Sequence, residues 1–303
     1  MKNVIVTGAN GFIASALIYK LLSRGVERVY AVVRDSSKVL QLPHDVRVHP
    51  VVLPMEEYGS LCKLIPMGAD TFFSLAWAGT RGEMRMNEQI QKSNFCNILK
   101  AVDCAVSLGC RNLVLAGSQA EYGGSSDGSV LMITEDMLSE PSCFYGEYKL
   151  RLWQQVSEIY SSDIVAVKEP RLFSVYGAGD YRGSFVSRMY ESLRSNRDFF
   201  VNEPCRLWDF LFVSDCAEAL CIVASECSSG IYNVVSGDCR PLLSFAQEMR
   251  RALESSGSVN FAPGTYTDPY GCCLSGDKLK KYGFNAEFTF SHGVLELQSA
   301  SKI

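Results

Sequence analysis

The sequence has little histidine, little tryptophan and no long run of one charge. Its 303 residues hold three of each of these two residue types. His44, His49 and His292 accompany no Cys-x-x-Cys pair, so a structural zinc site is not expected and no metal ligand is assigned. The net charge is −4. With no basic stretch to face a phosphate backbone, nucleic acid is not an expected partner, although a few local cations can still hold a nucleotide. No window approaches about 18 unbroken apolar residues, so no membrane span is expected. Met1 is followed almost at once by VIVTG, with no charged segment ahead of an apolar one. A signal peptide is therefore not expected, and the cytoplasm is the expected compartment. Internal repeats and low-complexity linkers are also missing.

What is present fits a globular chain. Apolar residues make up 47% and charged residues 20%, enough for one large domain or two small ones. The twelve cysteines are scattered. Free, mostly buried thiols in a reducing compartment are expected, with no redox role for the adjacent Cys272 and Cys273.

Short apolar runs alternate with longer amphipathic ones. Strands are expected at 3–7, 29–33, 70–77, 112–118 and 163–173. Helices are expected at 12–24, at 87–109 (ending on a glycine) and at 145–162. Strands apolar on both faces and separated by helices indicate an α/β, doubly wound parallel sheet. After residue 173 the helices shorten, to 184–195, 215–226 and 242–255. The expectation is a nucleotide-binding domain over 1–173 and a smaller substrate-binding part over 174–303. Strands near 209–213 and 230–235 are expected to return to the first sheet.

The first strand runs directly into TGANGFIAS (7–15). Gly8 permits a tight turn, Gly11 lets backbone approach a pyrophosphate, and Ala14 allows close helix packing. The helix N-terminus then offers free N–H groups to phosphate. The expected cofactor contacts are Gly8, Asn10, Gly11, Phe12 and Ile13 in this Rossmann-type turn.

Three further stretches carry chemistry. Tyr145-Gly-Glu-Tyr-Lys149 places a phenol and an ammonium on one helical face, where the charge favours phenolate. Tyr148 is the rival phenol. Ser118, in LAGSQAEYG, ends a parallel strand, where ligands bind. PRLFSVYG (170–177) and WDFLFVSDCAEAL (208–220) complete the set. Together with T-G-x-x-G-x-x-A, these segments resemble the extended short-chain dehydrogenase/reductase superfamily and its NAD(P)-dependent nucleotide-sugar epimerases, dehydratases and reductases. GSQAEYG with WDFLFVSD looks most like the 4-ketoreductases of the CDP-abequose and CDP-paratose synthase type, which serve surface polysaccharides. The resemblance implies an enzyme with Ser118, Tyr145 and Lys149 as catalytic residues. It implies that Asn94 orders the site and that Met55, Leu75 and Ala76 border the cofactor. Gln119, Ser174, Arg182, Arg206 and Trp208 become candidates for the nucleoside-diphosphate sugar. Arg81, Arg85 and Arg188 are further candidate cations, and Cys143 is read as packing. The family's arginine before Asp-Phe is Trp208 here, and its acid after the third strand is replaced by Pro54 and Met55. A homodimer through the two long helices is implied as well.

The second strand ends in Arg34, where NAD-using relatives carry an acid. A guanidinium suits a 2′-phosphate, with Ser36, Ser37 and Lys38 as further donors. NADP(H) is therefore the expected cofactor. Asp35 leaves NAD(H) open, since a shift of one residue would aim it at the ribose. Ser118 is followed by Gln119 and Ala120 rather than by two acids, so a 4,6-dehydratase is disfavoured, and Glu121 is read as structural. The expected function is NADPH-dependent reduction of a nucleoside-diphosphate 4-keto-6-deoxysugar. The alternatives are an NAD-dependent 4-epimerase and a cofactor-sensing protein without catalysis.

Overall fold

A computed structural model describes residues 1–123, 130–160, 164–265 and 268–300. Among them, eight strands form one sheet: β1 Asn3–Thr7, β2 Arg28–Val33, β3 Val48–Val52, β4 Thr71–Ser74, β5 Asn112–Leu115, β6 Gly117–Ser118, β7 Ala166–Leu172 and β8 Gly230–Val234. The order is β8-β7-β5-β4-β1-β2-β3, with β6 beside β7, and every pairing is parallel. The longer helices are α1 Phe12–Ser23, α2 Glu88–Ser107, α3 Phe144–Tyr160, α4 Phe185–Arg194, α5 Val213–Glu226, α6 Leu242–Ala252 and α7 Phe290–Ala300.

The sheet is apolar on both sides because helices cover both. Val4 and Val6 of β1 pack with α1 and α5, while Ile5 between them packs with α2 and α3. This is the period-two alternation of a strand inside a doubly wound fold. A separate aromatic core of Phe185, Phe199, Phe210, Phe245 and Phe290 joins α4, α6 and α7. The expected helix over 87–109 ends at Ser107, followed by Gly109 at φ +109°. The expected strand over 112–118 is interrupted at Ala116. Residues 161–163, at the expected ends of a helix and a strand, lie outside the described residues.

Two expectations are corrected. Residues 230–234 do join the main sheet, beside β7. Residues 209–213 do not: only Leu211–Phe212 is extended, and it pairs with Val175–Tyr176 in a separate two-stranded sheet. Asp209, 1% exposed, is turned away to accept the Ser236 and Gly237 N–H groups, and α5 begins at Val213. Nor are all cysteines free, because Cys239 and Cys273 form a disulfide. Strand Gly271–Leu274 pairs with Val130–Ile133, and the bridge Arg206–Tyr270 lays its start against Leu207–Trp208, which pairs with Arg240–Pro241. That layering brings the two sulfurs together across 34 residues of sequence, a distance that spacing alone does not reveal.

Candidate active site

The strand order reverses between β1 and β4, which opens a crevice at their C-terminal ends. Gly8 sits there at φ +66°, and a Cβ on it would lie 3.0 Å from the Ala76 Cα. Both facts demand glycine. The Thr7 hydroxyl accepts the Leu75 and Ala76 N–H groups at 3.2 and 3.3 Å, fixing the approach of the two strands. Gly11 donates to the Gly8 carbonyl at 2.8 Å and precedes α1. No side chain caps α1, so its N-terminal N–H groups face the crevice. A cavity of about 550 Å³ lies alongside, lined in part by Asn10, Gly11, Arg34, Lys38, Met55 and Asn94. These features fit a dinucleotide pyrophosphate and adenosine.

Gly8 also borders a second cavity of about 310 Å³, shared with Phe12, Ile13, Ser118, Tyr145 and Lys149. The expected trio is thus brought to one wall. Ser118 is 8% exposed and caps the turn 119–121: its hydroxyl accepts from Ala120, and Glu121 accepts the Ser118 N–H at 2.6 Å. The Lys149 ammonium donates to the Ala116 carbonyl and lies 4.1 Å from the centre of the Trp77 ring. Burial pulls its pKa down to about 8, against the opposing pull of Glu121 and Glu169. Tyr145 is half-buried, 5.9 Å from ring centre to that ammonium. The sequence leads one to expect a lowered phenol pKa. Instead burial holds it above its ordinary value, opposed by a hydrogen bond with Ser118 and by Arg85, whose guanidinium lies 4.9 Å over the ring. The phenol carries its proton. Tyr148 is directed elsewhere, donating to Glu88 at 3.1 Å.

Asn94 spends its amide on the loop after β4, donating to and accepting from the Ala78 backbone at 2.8 and 3.1 Å. Its neighbour Gln91, buried and not anticipated, accepts from the Trp77 indole at 2.7 Å and donates to the Gly79 and Met84 carbonyls. Their spacing of three on α2 is the signal that could have found the pair.

A third cavity, about 390 Å³, lies behind Ser174, Arg206 and Trp208. The Trp208 indole donates to Ser174 at 2.7 Å, and the Arg206 guanidinium lies 4.8 Å over its ring. Arg81 and Asp180 border both this cavity and the trio's. Arg182 and Arg188 are exposed and line neither cavity, and the half-buried Gln119 lines neither. Asp35 caps the turn Ser36–Gln41 through the Ser37 N–H at 3.1 Å, and that serine holds its carboxyl below the usual range.

The family model described as "NAD dependent epimerase/dehydratase family" matches residues 4–235. A UDP-glucuronic acid decarboxylase 1 of Arabidopsis thaliana is 23% identical over 88% of this chain, which spans 62% of that protein. An ADP-L-glycero-D-manno-heptose-6-epimerase of Nitratidesulfovibrio vulgaris (strain DP4) is 24% identical over 96% of this chain and 95% of its own length. The solved structure of MoeE5 with UDP-glucose and NAD superposes with a TM-score of 0.81 at 23% identity, over 99% of this chain and 98% of that one. That likeness establishes a shared fold.

Proposed function

This chain belongs to the NAD-dependent epimerase/dehydratase family of nucleotide-sugar enzymes, and from that premise we propose that it reduces a nucleoside-diphosphate 4-keto-6-deoxysugar with NADPH. One observation carries the reading. Arg34 is 75% exposed and, with Lys38, rims the cavity beside the glycine turn; its Nε donates to Asp35 at 3.3 Å, and that carboxylate also accepts the Ser37 N–H. Two cations suit a 2′-phosphate, and the acid that would suit a free ribose hydroxyl is engaged. Bound there, the cofactor supplies a hydride equivalent to the sugar carbonyl.

The protein's own share is acid catalysis and charge stabilisation. Tyr145, holding its proton and hydrogen-bonded with Ser118, is placed to protonate the developing alkoxide. Ser118 orients that oxygen, and the Lys149 ammonium stabilises the phenolate left behind. Trp77 closes one side of the cavity and keeps water from the ammonium. Ser174, Arg206 and Trp208 are read as the nucleoside side of the substrate site. The cytoplasm as its place of work, and a homodimer through α2 and α3, remain part of this proposal.

The test is turnover and binding with each cofactor. NADPH is expected to be preferred, and Arg34→Ala is expected to raise its KM by about tenfold while leaving that for NADH within about twofold. An NADH preference, or NAD retained through purification, would overturn the reductase reading. It would favour the 4-epimerase alternative.

A further inference from the structure

Beneath the trio lies a group of charged side chains that neither half of the reaction touches. Arg171 is 0% exposed, Glu121 0% and Glu169 1%. Arg171 Nε donates to Glu169 at 2.9 Å, its Nη2 lies 3.2 Å from Glu121 Oε2, and its Nη1 donates to Ser139 at 3.0 Å. Its guanidinium also lies 4.3 Å over the Tyr122 ring. Strand β6 rests directly on the cluster: a Cβ on Gly117 would come 2.7 Å from Glu169 Cγ and 3.0 Å from Arg171 Cγ and Glu121 Oε1. Only glycine lets the backbone of Ser118 come down this far.

The charges must balance. Arg171 is always cationic, and burying it unpaired would be prohibitive. Lys149 is a second buried cation beside the pair, but burial raises both carboxyls and the repulsion between them raises Glu169 further, so the pair shares one proton. Burial raises Glu121 too, but Arg171 and the Ser118 N–H oppose that rise and favour its carboxylate over that of Glu169. Burial and the neighbouring Glu121 carboxyl push Glu169 well above its ordinary value, and its proton is then donated to Glu121.

We propose that Glu121, Glu169 and Arg171 are positioning residues that hold a single carboxylate directly under Ser118, and that this charge keeps Tyr145 and Lys149 in their proton-bearing forms. The inference rests on reading Ser118, Tyr145 and Lys149 as the reacting trio. Glu121 raises the pKa of both other groups, and Glu169 adds to its effect on Lys149. The other charged or titratable neighbours are Arg85 and Cys143 at Tyr145, and Tyr122 at Arg171, with Glu135 acting on Tyr122. A protonated Tyr145 is ready to give a proton, as a reductase requires. An enzyme that first oxidises its sugar begins with the opposite form. The buried carboxylate thereby biases the direction of proton transfer.

The test needs no substrate. Protein carrying [15N]lysine and [13C]tyrosine is titrated by NMR, with the two signals assigned by their loss in Lys149→Arg and Tyr145→Phe. In Glu121→Gln/Glu169→Gln/Arg171→Met, neutral side chains of similar size replace the cluster, and both titrations are expected to move down by about one pH unit. Glu169→Gln keeps the charge on Glu121 and is expected to leave both within about 0.3 unit. Glu121→Gln keeps Arg171 paired through Glu169, folds on that account, and is expected to move both titrations part of the way. Unchanged titrations in the triple variant, or in Glu121→Gln where the triple variant does not fold, would overturn the proposal. So would a full shift in Glu169→Gln. A wild-type protein that turns over no ketosugar with NADPH would remove the proposed reaction while leaving these titrations to be judged on their own.

Discussion

Two buried lysines, Lys149 on α3 and Lys168 on β7, invite comparison. They are 6% and 3% exposed, and burial draws both down to about 8. Each donates to one backbone carbonyl, Ala116 and Ala224 respectively. By titration alone they are twins. Their surroundings differ. Lys149 lies over Trp77, faces a cavity shared with Ser118 and Tyr145, and has the Glu121 carboxylate beneath it. Lys168 lies under α5, bonded near that helix's C-terminal end, and lines none of the three cavities of the site. A perturbed pKa therefore marks burial, and only convergence of groups on a cavity marks chemistry.

The sharpest way to break the comparison is to remove each amine. Lys149→Met is expected to lower turnover by about 10²–10⁴-fold, the range for losing an acid–base partner. Tyr145→Phe should do the same, since it removes the proton donor outright. Lys168→Met is expected to leave kcat within about twofold, because nothing reacting touches it. Steady-state kinetics on the folded variants, checked by circular dichroism, decides. Equal losses at both lysines would mean that the pair differs less than its geometry implies.

A smaller effect sharpens the same contrast. The Lys149 ammonium is present below its pKa of about 8 and is lost as pH rises through it. The wild-type kcat/KM for reduction is expected to fall on the alkaline side with a midpoint near that value. Lys168→Met should keep this limb unchanged, although it removes a lysine of the same pKa. A profile flat to pH 10 would show that turnover does not need the Lys149 charge.

Much of this contrast was legible in the sequence, and the reason is local. Tyr145 and Lys149 stand one helical turn apart, and Gly8 and Gly11 stand between a strand and a helix, so short-range geometry fixes their meaning. The parallel sheet was legible for the same reason, through strands apolar on both faces. What was not legible depends on distant segments. Asp209 captures the Ser236 and Gly237 N–H groups and a helix begins at Val213, which together leave only Leu211–Phe212 of the expected strand extended. Cys239 meets Cys273 only after several short strands stack. The phenol pKa moved up because burial, a tertiary quantity, outweighs a neighbouring charge. Glu169 and Arg171, two apart on β7, share a face, and that alternation was readable. Their partner Glu121 arrives from another strand end, so the cluster was not.

The smallest expected effect concerns stability, and there the two lysines become comparable again. Burying an ammonium on one carbonyl costs free energy that an apolar side chain of like length avoids. Lys168→Met is therefore expected to raise the melting temperature by about 2–4 °C, an effect on the order of 1 kcal/mol. The pH dependence follows from its lowered pKa. Between about 8, where the folded protein releases this proton, and 10.5, the ordinary lysine value, the unfolded chain binds more protons than the native one. Stability from this group thus rises with pH across that window, and its destabilising contribution is fully present below it. The gain from Lys168→Met should accordingly be largest at pH 7 and shrink toward pH 10. Thermal melts of the two proteins at both pH values measure this difference directly. A gain independent of pH would mean that the Lys168 ammonium is not the destabilising element and that methionine acts through packing under α5 alone.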